Sequence, residues 1–482
     1  MFSRRSLFVG VLACCIFPPA AARPGEPAPG TTKERATAPG IAPSQQRLLP
    51  VWRALLLVYR QVEVDYKDDG GKPHHFSNKL PDDEVRAAVW SFRQHPSLAY
   101  KHSNGALVIQ YDIVYPSRTV NSVTKMGKNA WWLSPDDTRP EIKKYAPKGS
   151  YDSILVLAPL SNRAKGQSVP TGGWGLAIGP SDWSSGASYC TVGNAPVDGW
   201  NEPAVGEVWL HEWLHGACAH FAQKGFVMPK GDSDAGGSHG YKHSDVEGWG
   251  EFYQDLMNGQ VLDEGRRTGI TQEAWQSGAI CGKKQLVVAD YFLSDTRSSF
   301  RTTGKAVWTG RGGKHENIFL GDPQKAESTL CLAVDLKNRT LLAARVQVPA
   351  SGVGRSDSVG IALGEGKVQC CALLEYGTKW AGKTSVSIRS GQAPRESAPV
   401  SLAPGWYTVK LLVDPAAQTI DMKTWADGEN EPPSWQLSGK LPSGWKAAAA
   451  GFKHVGHAVL VDDLVIVDRR VGYLHCRPRL VN

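Results

Sequence analysis

"EVWLHEWLHGACAHF", residues 207–221, sets two histidines four positions apart, with a glutamate directly after the first. On an α-helix, positions i and i+4 share a face one turn apart, so His211 and His215 can offer their imidazoles to one ion. Glu212 lies about 100° further round the helix and is badly placed as a ligand, yet it can reach a water that the ion holds. Zinc lowers the pKa of such a water towards 7, and a neighbouring carboxylate then takes its proton and passes it to the leaving group. This division of labour is the mechanical content of the HExxH pattern. His211 and His215 are therefore candidate metal ligands, Glu212 the candidate general base and Zn²⁺ the expected cofactor. The competing reading is an amphipathic helix whose histidines find partners in the interior. Val208, Leu214, Ala217 and Phe221 supply the apolar surface that buries the helix in either case.

Upstream, structure is expected to begin at "LLPVWRALLLVYRQVEVDY" (48–66), read as a helix. A second helix is predicted over "PDDEVRAAVWSFRQH", where Val85, Ala88, Val89 and Phe92 follow the i, i+3, i+4, i+7 stripe behind Asp82 and Asp83. Strand-like runs follow at 106–116, 151–160 and 173–180, and Asn201 with Pro203 supplies a cap and first turn for the histidine helix. The layout is α+β.

Helices, a sheet with an exposed edge strand and then HExxH on a helix resemble the zincin metallopeptidases, over about residues 48–285. The resemblance implies that an edge strand binds substrate backbone by main-chain pairing, and "GGWGLAIG" (172–179) is the candidate. Metzincins place a third histidine six residues after the second, preceded by a glycine three residues after it. Here Phe221 holds the first position, Gly216 is the nearby glycine and His220 is one residue out of place, so that subfamily does not fit. Gluzincins take a glutamate from a following helix, within ExxxD, whose aspartate orients the first histidine. "HSDVEGWGEFYQDLMNG" (243–259) reads as such a helix, capped by Asp245, and "EFYQD" carries Glu251 and Asp255 at that spacing. The resemblance thus makes Glu251 the third metal ligand and Asp255 its supporting acceptor. His239, Glu247 and Asp255 itself remain open as competing ligands. Tyr241 is a candidate oxyanion donor or a packing residue, and Cys218, on the metal-facing side of the helix, is read as a buried thiol or a partner for Cys190 ahead of a fourth ligand. "GDSDAGGS" (231–238) departs from a calcium loop at Gly236 and His243.

From about residue 290 the texture changes to short alternating runs between turns, among them "TLCLAVDL", "SVGIALGE", "CCALLEYG", "GWYTVKLLVDP", "TIDMKTWAD" and "AVLVDDLVIVD". Seven or more such strands imply a β-sandwich or jelly roll. "PGWYTVKLLVDPAAQTIDMKTWADGENEPPSW" with "AGFKHVGHAVLVDDLVIV" resembles the concanavalin A-like, laminin-G-like fold. Glucanases of that fold carry paired carboxylates on one strand in an ExDxxE-like run, and none occurs here. A binding module is expected, with Trp406, Trp425 and Trp435 as sugar-stacking or packing residues and a polysaccharide as its candidate ligand.

The termini and composition set the context. "MFSRRSLFVGVLACCIFPPAAARPG" reads as an export signal over 1–22, with a basic start, an apolar run too short to span a bilayer and small residues after it. Its paired arginines resemble a twin-arginine signal, and "VLAC" a poor lipoprotein box. Residues 23–46, rich in Pro, Ala, Gly and Thr, read as a disordered linker. Domains are expected at 47–285 and 290–470, with a tail at 471–482. The 54 basic and 46 acidic side chains form no block, which excludes a nucleic-acid interface of the basic-patch kind. Seven cysteines follow the signal without a CxxC pair, so a cysteine-zinc site is not expected. The expected protein is a secreted zinc metallopeptidase, with a zincin-like α+β catalytic domain followed by an all-β jelly-roll sandwich and no transmembrane segment. It would act on a protein or glycoprotein. The rivals are a carbohydrate-binding surface protein with a degenerate zincin domain, and a zinc amidase acting on glycoprotein or cell-wall peptide.

Overall fold

A computed structural model describes residues 47–468 apart from 172–174, 181–185, 194–204, 232–238, 282–283, 294–295, 310–316, 322–326, 351–356, 365–368, 377–383, 391–395, 428, 443–444 and 446–447. The export signal, its linker, the C-terminal tail, Asn201, Pro203 and nearly all of the 231–238 run lie outside the described residues.

Arg47–Val58 is a strand rather than the expected helix, paired in parallel with Val108–Val114 and with Ser153–Leu157. Trp52, Ala54, Leu56 and Val58 enter one core, while Leu55, Leu57 and Tyr59 enter another. A strand covered on both faces loses its polar alternation, and periodicity then cannot separate it from a buried helix. Ser188–Val192 extends the sheet in parallel beside Ser153–Leu157. Gly175–Ile178 runs antiparallel against Ser188–Val192 and ends the sheet.

Five helices are described: α1 (Asp82–His102), α2 (Arg139–Tyr145), α3 (Glu207–Gln223), α4 (Gly250–Leu256) and α5 (Gln272–Gln276). Helices α1 and α3 cover one sheet face through Phe92, Trp209 and Trp213. The hairpin Gln61–Lys67/Pro73–Lys79 and α2 cover the other, through Phe76 and Ile142. No helix among the described residues is long and apolar enough to cross a membrane. The helix expected over 243–259 is shortened to α4. Ser244 and Gly248 bridge each other's backbones around Asp245 and Val246. Gly248 takes φ +55 and Val246 is 78% exposed, so Asp245 sits in a turn instead of a cap.

The C-terminal unit is a jelly-roll-type β-sandwich. One sheet has seven strands, in the order Arg301–Thr303, Glu327–Ala333, Ala449–Val455, Ser358–Leu363, Cys370–Glu375, Ser385–Ser390, Glu396–Pro399. The facing sheet includes Val459–Asp468, Thr340–Val348, Gly405–Asp414 and Thr419–Ala426, and the two bury Ile361, Phe452, Val409 and Ile466 between them. Lys284–Asp290 pairs antiparallel with Arg47–Pro50 and also with Leu464–Val467, so one sheet runs through both units. The boundary expected near 285 falls on this strand.

The candidate sugar-stacking tryptophans meet cations of the same chain. Arg345 lies between Trp90 of α1 and Trp406, at 4.6 and 4.7 Å from the ring centroids. Lys410 lies 5.7 Å from Trp425, and Lys423 lies 5.0 Å from Trp435. The six described cysteines form no disulfide, so the Cys190–Cys218 bridge is not made.

Candidate metal centre

Helix α3 starts after Gly206, whose φ is +96 and whose amide donates to Ser91 Oγ of α1 at 3.2 Å. A side chain there would meet Gln94 Cβ and the backbone of Ser91 and His95 at 3.0 Å, so glycine permits the close helix crossing. Trp209 and Trp213, one turn apart, pack on Phe92 and His95 with ring centroids 5.4 and 5.2 Å apart. Burial alone pushes the wholly enclosed His95 down to about 3, so it is neutral in this core. On the sheet side, a methyl group on Gly216 would sit 2.5 Å from Ser188 Cβ. The helix is thus wedged between α1 and the sheet, and its rotation is set by packing on both sides.

That rotation turns His211 and His215 together. Their Nε2 atoms are 3.2 Å apart, and the ligand atoms of His211, Glu212 and His215 all lie within 4.8 Å of one another. Two nitrogens bound tetrahedrally to zinc at 2.0–2.1 Å stand about 3.3 Å apart, so the pair fits two corners of a zinc site. Glu212 is 5% exposed and lies against the edge strand, where a Cβ on Gly175 would fall 2.1 Å from its Cδ. The neighbouring Cys190 thiol is pushed far up, by burial first and by Glu212 second, which leaves it protonated and inert.

The other sequence candidates are placed elsewhere. Glu251 is exposed on α4, and no cluster of metal-ligating groups among the described residues includes it. Asp255 accepts the Tyr241 hydroxyl at 2.7 Å, and burial together with that carboxylate raises the Tyr241 pKa. His239 shares a hydrogen bond with the Lys230 carbonyl at 2.9 Å, and Glu247 pairs with Lys101 at 3.1 Å. The partner of His211 is one that the sequence reading passed over: its Nδ1 lies 3.1 Å from the Tyr253 hydroxyl. One turn before His211 on α3 stands Glu207, which accepts the Trp249 amide at 2.9 Å. Burial raises the Glu207 pKa, and the Trp249 amide, the histidines and the Tyr253 hydroxyl oppose that rise. The signal was present in the spacing, because Glu207, His211 and His215 recur every fourth residue along one helix face.

Neither a protein-family model nor a curated protein matches the chain. Among solved structures, it is similar to peanut lectin with a nine-residue peptide, at 10% identity and TM-score 0.29, over 39% of this chain and 99% of that one. It is similar to lectin II from Ulex europaeus at 7% identity and TM-score 0.30, over 38% and 97%. For the Emp47p carbohydrate recognition domain the figures are 12% and 0.27, over 38% and 95%.

Proposed function

We propose that the chain is a secreted zinc-dependent peptidase of zincin type, joined to a β-sandwich binding module. The observation that carries the reading is the convergence of both Nε2 atoms and the Glu212 carboxylate within 4.8 Å, on a helix buried beside an edge strand. His211 and His215 hold the ion. Glu251 is the third ligand that the resemblance implies, and it lies outside that cluster. Bound zinc would supply a water of lowered pKa and polarise the scissile carbonyl. With zinc in place, Glu212 would serve as the general base that takes up a proton beside the ion and gives it to the departing amine. The strand Gly175–Ile178, at the end of its sheet, offers main-chain groups to an extended substrate.

A single zinc per chain and chelator-sensitive cleavage of denatured protein or glycoprotein are expected. Peptidoglycan cleavage alone would identify the amidase instead. The second reading is a carbohydrate-binding protein whose N-terminal unit is structural, which suits a jelly-roll sandwich of the kind that the lectins carry. Glycan-array binding by protein that neither takes up zinc nor cuts any substrate would establish that reading.

Gly175→Ala separates the base from the fold. Its methyl group must displace Glu212, the end of a flexible side chain, so folding is expected to survive with Tm within a few degrees. Misplacing a catalytic group by about 1 Å costs on the order of 10²-fold, and turnover should fall by that much. Full activity in the alanine variant would show that Glu212 acts from some other position.

A further inference from the structure

We propose that Tyr253 is the positioning residue of the metal centre, and that its hydroxyl, held against His211 Nδ1, aims the His211 Nε2 lone pair at the ion. The proposal rests on the zinc reading above and names the support that the centre uses. The resemblance assigned that support to Asp255, which is occupied by Tyr241 at 2.7 Å.

A metal-binding imidazole offers Nε2 as a bare lone pair, so its ring proton belongs on Nδ1. The group that faces Nδ1 is the Tyr253 hydroxyl oxygen, 3.1 Å away, which accepts that hydrogen bond. Nε2 then points its lone pair towards His215 Nε2, 3.2 Å away.

The surroundings of this contact are held firmly. Tyr253 is 1% exposed, and its ring packs edge-on to His102 with centroids 6.2 Å apart. A Cβ on Gly248 would fall 1.8 Å from Glu207 Oε2, so only glycine lets the 248–249 turn close over that carboxylate. The Gly248 φ of +55 is the backbone form that a side chain disfavours. The turn that shortens α4 thus also closes on Glu207, one helical turn before His211 on α3.

The test uses the full-length protein and Tyr253→Phe, which removes one oxygen from a ring that stays packed. Zinc affinity, read by competition with a chromophoric chelator, should weaken about 10- to 100-fold, the usual effect of losing a ligand's outer partner. Independently of zinc, long-range ¹H–¹⁵N correlation on the metal-free wild type should show His211 as the Nδ1–H tautomer, and Tyr253→Phe should lose that preference. Circular dichroism and Tm check that the variant is folded. Unchanged zinc affinity in a folded variant overturns the proposal, and so does an Nε2–H tautomer at His211 in the wild type. A wild type that shows the expected tautomer but binds no zinc sinks the peptidase reading and leaves the His211–Tyr253 contact established.

Discussion

Replacing Glu212 by glutamine is expected to abolish peptide hydrolysis while zinc stays bound. The substitution keeps the size and shape of the side chain, so the contact with Gly175 and the seat between α3 and the edge strand are preserved. What it removes is the ability to take up a proton. General-base assistance of this kind contributes typically 10²- to 10⁴-fold, and kcat should fall within that range. Zinc should hold because the two imidazoles that offer Nε2, 3.2 Å apart, are untouched. The measurement is paired: metal content of the purified variant, and initial rates on a substrate that the wild type cleaves. Wild-type rates with full zinc occupancy would remove Glu212 from the mechanism. Loss of zinc together with activity would make its role structural.

The sequence was most legible where one face of an element meets solvent or where chemistry fixes a spacing. The α1 stripe of Val85, Ala88, Val89 and Phe92 is buried as its period requires, and the alternating runs after 290 became strands of the sandwich. Arg47–Val58 was misread because its two faces enter two different cores, which removes the alternation that marks a strand. The helix predicted over 243–259 lost its first seven residues, where Ser244 and Gly248 bridge each other's backbones. Helical periodicity carries no information about such a closure.

At the metal centre, the pair His211 and His215 needed only the α-helical repeat to be found. Their support needed tertiary contact. Tyr253 and Asp255 lie two residues apart on α4, so they point in different directions, and the pattern match selected the one that faces Tyr241. Trp406, Trp425 and Trp435 illustrate the same limit. Indoles suited to stacking on sugars are equally suited to stacking on Arg345, Lys410 and Lys423, and composition cannot distinguish the two uses.

Removing Arg345 is expected to unfold both units together. This arginine belongs to the sandwich strand Thr340–Val348, its side chain is 2% exposed, and it faces three carboxylates. Asp427 lies at 3.0 Å, and Asp462 and Asp463 each lie at 3.8 Å. Asp427 also pairs with Arg93 of α1, whose side chain is 1% exposed, and Trp90 of α1 covers the Arg345 guanidinium. The cluster therefore ties α1 to the sandwich at the place where Lys284–Asp290 joins their sheets. Burial, then the charge of Asp463, holds Asp462 well above the usual carboxylate range even with Arg345 present. Arg345→Ala leaves Asp427 to Arg93 alone and takes the paired guanidinium away from the enclosed Asp462 and Asp463, a change that costs about 3–5 kcal/mol when one partner of a buried pair is lost. The deficit should shrink in acid. Carboxylates whose folded pKa is raised above the unfolded value bind protons preferentially in the folded state, so relative stability recovers as the pH falls through the folded pKa towards the unfolded one. Denaturant titrations of wild type and variant at neutral and mildly acidic pH read both effects. A single transition that moves as a whole is expected. If the sandwich instead melted apart from the α1 unit, or the variant lost less than about 1 kcal/mol, the ion cluster would be a surface-like pairing and not the joint between the two halves.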